Sequence, residues 1–103
     1  DKGEGYRFLY YPIKKKYIKL NLEYPKNVSK IIITADGLKE SEIYVNTIDE
    51  EYNFDIDEAY QKLTPCKKIN DTTYDVNKKI TSVNLALEFN KFSDRKVRIE
   101  FVE

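Results

Sequence analysis

The sequence predicts an all-β fold: an antiparallel β-sandwich, jelly-roll or immunoglobulin-like, of about 7–8 short strands with one short helix near residues 56–63. Three observations carry this expectation. Apolar residues recur at every second position in several separate runs, the period of a strand with one buried and one wet face. Turn-forming residues punctuate those runs at short intervals. Helix-start signals gather in a single window, residues 55–63.

In chain order, residues 6–12 (YRFLYYP) come first. Tyr6, Phe8 and Tyr10 point one way in a strand, and Arg7, Leu9 and Tyr11 the other. Large groups on both sides predict a strand that is covered twice, or one that keeps a face for a ligand or partner. Residues 17–24 (YIKLNLEY) place Ile18, Leu20, Leu22 and Tyr24 on one face against Lys19, Asn21 and Glu23. Pro25 suits an early turn position, so residues 28–35 are expected to return as the second arm of a hairpin. Asp36-Gly37 then signals a turn. In residues 42–48, Ile43 and Val45 lie opposite Tyr44, and residues 52–56 read as a short strand. Asp55 and Glu58 have capping-box spacing, and Thr64-Pro65 stops the helix they would start. Residues 82–89 align Val83, Leu85, Leu87 and Phe89. Residues 96–103 align Val97, Ile99 and Phe101 against Arg98 and Glu100. Residues 90–94 are expected to close these last two runs into a hairpin.

A chain of 103 residues is expected to form one domain with a modest core. Hydrophobic residues at 41% place it among globular rather than disordered chains. The start at Asp1 and the absence of Met predict a mature product or a piece excised from a larger protein. Fifteen Lys against three Arg, with abundant Ile, Asn and Tyr, point to an AT-rich genome and weaken inferences from lysine number alone. Net charge is zero overall, but residues 1–30 carry +5, residues 31–66 carry −7 and residues 67–103 carry +2. Such a balance argues against a nucleic-acid partner, which would call for a basic excess. No apolar run has the length of a transmembrane segment.

The inventory of reactive groups is short. The absence of His removes the commonest general base, His-dependent nucleophiles and His-ligated zinc. Cys66 is the single cysteine, so no disulfide framework or cysteine metal cluster can form. The three Gly stand at positions 3, 5 and 37, which rules out a glycine-rich phosphate loop. The acidic run DEEYNFDIDE offers oxygen ligands from Asp49, Glu51, Asp55 and Asp57. Calcium is the cation such flexible carboxylates suit, although the run lacks the glycine and ligand spacing of an EF-hand loop. The plainer reading is a solvated acidic loop. Lysines 14 to 16 could touch an anionic polymer or membrane surface, or they could blunt a strand edge.

Tyrosine supplies the main hint of binding, because its ring offers an apolar body and a polar tip. Tyr11, Tyr17 and Tyr44 lie opposite the aliphatic faces of their strands and are expected to be exposed. Asn21, Asn46 and Asn84 lie on the same outward faces, and Asn46 joins the three tyrosines as a candidate ligand-binding residue. The strand pattern and closing hairpin resemble the non-catalytic modules appended to secreted or surface enzymes, jelly-roll carbohydrate-binding modules among them. That resemblance is one of architecture alone. It implies a non-enzymatic module, extracellular or on the cell surface, that binds a glycan or another surface ligand. One alternative is a structural or protein-interaction domain packing on a neighbouring domain, with residues 6–12 as an interface strand. A second is a small carboxylate-dependent hydrolase.

Overall fold

A computed structural model describes residues 4–8, 15–48, 63–90 and 95–103, with backbone only for 4–8, 15–16 and 95–96. The expected helix and the short strand at 52–56 fall outside these residues, apart from Leu63, which is buried. The described residues form strands β1 (Glu4–Phe8), β2 (Lys15–Ala35), β3 (Leu38–Thr47), β4 (Lys67–Lys68), β5 (Thr73–Phe89) and β6 (Arg95–Val102). They build one antiparallel sheet in the order β1-β6-β2-β5-β3, with β4 paired onto β5 beside that path. The sheet is open. The all-β class and the antiparallel pairing agree with the sequence, but among the described residues no second sheet exists to make a two-sheet sandwich.

Two connections differ from expectation. The two runs on either side of Pro25 are not arms of a hairpin, because they belong to the same strand, β2. Its register with β5 jumps between Asn21 and Lys26, so four residues that include Pro25 are absorbed without a reversal of direction. A proline cannot donate to a ladder and is tolerated where the pairing is already interrupted. The last two runs are not hairpin partners either. Strand β2 lies between β5 and β6, pairing with β6 from Lys30–Val102 to Ala35–Val97, and β6 carries β1 on its other side.

Length requires the sheet to bend. An extended strand rises about 3.3 Å per residue, so the 21 residues of β2 would reach roughly 70 Å if straight. The longest dimension of the molecule is 37 Å. A second irregularity lies between Val28 and Lys30, where β5 carries an extra residue and Asn77 adopts a left-handed φ of 50°. Bulges of this kind raise local twist and bend the strand.

The consequence is visible at Ser41. Its partner across the β3–β5 ladder is Leu87, yet its carbonyl and hydroxyl both bond the Tyr74 hydroxyl. Leu87 and Tyr74 are thirteen residues apart on one strand, or about 43 Å if it were straight. The two ends of the β2–β5 ribbon have therefore folded towards each other. Ile31 and Ile33 of β2, Ile43 and Val45 of β3, Val83, Leu85 and Leu87 of β5, and Val97, Ile99 and Phe101 of β6 join in one core. Asp36-Gly37 makes the predicted turn, with Gly37 at φ 69° and its carbonyl accepting from the Asn90 amide at 2.9 Å. This turn carries the chain from β2 to β3, two strands that do not pair.

Candidate functional site: the outer face of β2, β5 and β3

The register of β5 with its two neighbours defines a face opposite the aliphatic core. Tyr17, Ala86 and Glu42 form one row across β2, β5 and β3. Lys19, Asn84 and Tyr44 form the next, followed by Asn21, Ser82 and Asn46. Tyr17 and Tyr44, chosen from sequence as tyrosines opposite the aliphatic faces of their strands, and Asn46, chosen as an outward polar residue, thus share one face. Tyr11 and the acidic residues Asp49, Glu51, Asp55 and Asp57 lie outside the described residues.

Exposure on this face differs from expectation. Tyr17 is 43% exposed, as the alternation predicts, whereas Tyr44 is 7% and Asn46 4% exposed. Asn84, also read as outward, is fully buried at 0%. Strand alternation tells which side of a sheet a residue occupies, and it is silent on whether that side is covered. Along β3, Ile43, Tyr44, Val45 and Asn46 are all buried. Part of the reason is the segment after Leu63, whose Pro65 bridges Tyr44 and whose Cys66 amide donates to the Ile43 carbonyl at 2.8 Å.

Burial gives the polar side chains internal partners. The Tyr44 hydroxyl donates to Glu42 Oε2 at 2.8 Å. Burial, then the Glu42 acceptor and charge, and to a lesser degree Tyr17, push its pKa up to about 12. Asn46 Oδ1 accepts from Ser82 Oγ at 2.8 Å and from Asn84 Nδ2 at 3.0 Å. Asn84 Oδ1 is buried without a hydrogen-bond partner. These two asparagines knit β3 to β5 and act as structural polar residues of the face.

Beside this network a cleft of about 480 Å³ opens, walled by Glu40 and Glu42 from β3, Ala86 and Glu88 from β5, and Pro65 and Cys66. Ala86 has a small side chain between Glu42 and Tyr17, so it leaves room that a larger residue would fill. The Lys39 ammonium bonds Glu88 Oε1 at 3.1 Å, and that hydrogen bond, with the Glu88 and Glu40 charges behind it, raises the Lys39 pKa. The carboxylates do not converge: among the described residues no three Cys, Asp or Glu side chains could hold a metal ion. The Cys66 thiol is half-buried, and burial pushes its pKa up to about 11, with Lys78 partly opposing. At neutral pH it is a protonated thiol and a poor nucleophile.

The sequence did not single out Glu40, Glu42 or Glu88 because they are scattered along two strands that only pairing brings together. Tyr24 was assigned to the aliphatic face, yet it is 72% exposed because it falls in the register break of β2. Comparison of the chain with protein-family models, with curated proteins and with solved structures gave no match.

Proposed function

We propose that this chain is a non-catalytic ligand-binding module, sandwich-like in the layering of its folded sheet, that holds a glycan on the outer face of β2, β5 and β3. The observation that carries the reading is the exposed ring of Tyr17 in one row with Ala86 and Glu42, beside a cleft edged by carboxylates. A sugar ring presents C–H groups that stack on an aromatic face and hydroxyls that donate to carboxylate oxygens. Tyr17 supplies the first kind of contact, and Glu40 and Glu42 the second. Tyr44 and Asn46 contribute by fixing the wall rather than by touching the ligand. The absence of His from the sequence and the high thiol pKa of Cys66 favour binding over catalysis. A place outside the cell or on its surface follows from this reading.

The test is an amide-resolved NMR titration with neutral and anionic saccharides. Saturable shifts at Tyr17, Glu42 and Ala86, lost in Tyr17→Ala with the fold retained, support the reading. No shift with any saccharide overturns it.

A second reading has its own observation. Strand β1 pairs only with β6 among the described residues, so its other backbone edge can accept a strand from a neighbouring domain. Protection from exchange, gained only when that domain is present, of those residue 4–8 amides that point away from β6 would favour it.

A further inference from the structure

The cleft that edges the candidate site does not stand alone. A second hollow of about 340 Å³ lies on the other side of Ser41 and Lys68, and both residues line both hollows. Between them stands a sill built from three side chains. The Tyr74 hydroxyl is tied to Ser41, and the Lys68 ammonium lies 5.7 Å from the centroid of the Tyr74 ring. Tyr74 is buried and doubly bonded, which makes the sill rigid, while Lys68 is exposed on a flexible stem and can move aside.

The two hollows differ in character. The first presents Glu40, Glu42 and Glu88, with the Lys68 ammonium on its wall and the Lys39 ammonium bonded to Glu88 at 3.1 Å. The second is lined by the apolar Ile33, Ala35 and Leu38 together with the opposed charges of Lys39 and Asp71. We infer that the two hollows form one bipartite groove, and that its ligand is a linear oligosaccharide, uncharged or amino-bearing, which crosses the sill at Ser41 and Lys68. The inference rests on the glycan-binding reading above. One sugar ring occupies only one hollow, whereas a chain occupies both and gains contact with each added ring until the groove is filled. The carboxylates of the first hollow accept from hydroxyl or ammonium groups. They repel sulfate and uronate groups, since like charges brought together across an interface oppose binding.

The experiment is calorimetry on the chain with an uncharged series from mono- to hexasaccharide, an amino-bearing tetrasaccharide and a sulfated tetrasaccharide. Affinity should rise at least about tenfold from mono- to tetrasaccharide and then level off. The sulfated chain should bind at least about tenfold more weakly than its neutral parent. Asp71→Trp, which adds bulk at an exposed residue lining the second hollow, should weaken the tetrasaccharide by about tenfold, with an amide spectrum that reports an intact fold. Equal affinity for every chain length, or tetrasaccharide binding untouched by Asp71→Trp, overturns the bipartite groove and leaves glycan binding standing. Tighter binding of the sulfated chain overturns the charge preference. No heat or shift with any member overturns both the groove and the reading beneath it.

Discussion

Tyr44 shows how a residue that sequence assigns to solvent becomes part of the structure. Its hydroxyl is held by Glu42, and burial keeps the ring neutral well above its ordinary range. The ordinary value is 10.0 and the folded value about 12, so between those two the folded chain retains a proton that the unfolded chain has released. Stability contributed by Tyr44 is therefore present in full below pH 10 and is lost as pH rises towards 12. Urea midpoints measured at about pH 9 and 11 should fall more steeply in the parent protein than in Tyr44→Phe. Glu42→Gln should move the phenol back part of the way, because burial is the larger cause and remains. Ultraviolet titration of phenolate would register the change. Cys66 offers a parallel check: with a pKa near 11, it should react with iodoacetamide at pH 8 far more slowly than in urea-unfolded chain. Equal rates in the two states would mean that the thiol is not shielded.

At the scale of elements, the β2–β5 ribbon governs the fold. Its bends are built from an irregular stretch around Pro25 and a left-handed Asn77. Asparagine and glycine accept that backbone region, whereas a β-branched residue does not. Asn77→Val is expected to cost about 1–2 kcal/mol in chemical denaturation, and Asn77→Gly far less. The bend also brings Tyr74 to Ser41, where its hydroxyl satisfies the β3 carbonyl. Tyr74→Phe removes that partner and leaves two buried polar groups of Ser41 unsatisfied, a loss of about 1–3 kcal/mol. A variant as stable as the parent would mean that the tie between the two ends of the ribbon carries no weight.

At the scale of the whole molecule, one core joins four strands, so the described residues should unfold together. Leu85 is fully buried on β5, between Ile18 of β2 and Ile43 of β3. Leu85→Ala should cost about 2–5 kcal/mol, and far- and near-ultraviolet dichroism should report the same lowered midpoint. Separate transitions by the two probes would mean that the ends of the folded sheet melt independently. The same folding creates the groove, because Glu40 and Glu42 come from β3, Glu88 from β5 and Lys68 from β4. Denaturation should abolish saccharide binding in step with the loss of near-ultraviolet signal.

By itself the sequence determined the all-β class and the aliphatic stripes of β5 and β6, because period two is a local property of the strand backbone. It also determined the turn at Asp36-Gly37, where glycine meets a positive φ, and it brought out Tyr17 as an exposed ring. Tertiary structure alone decided that the runs flanking Pro25 are one strand, since a proline reads the same in a turn and in a register break. It alone decided that Tyr44, Asn46 and Asn84 are buried, because alternation separates two faces without saying which is covered. The cleft was illegible for a related reason. Its walls come from strands paired across dozens of residues, and that pairing is fixed by which apolar faces can be buried together, a property of the whole chain rather than of any stretch of it.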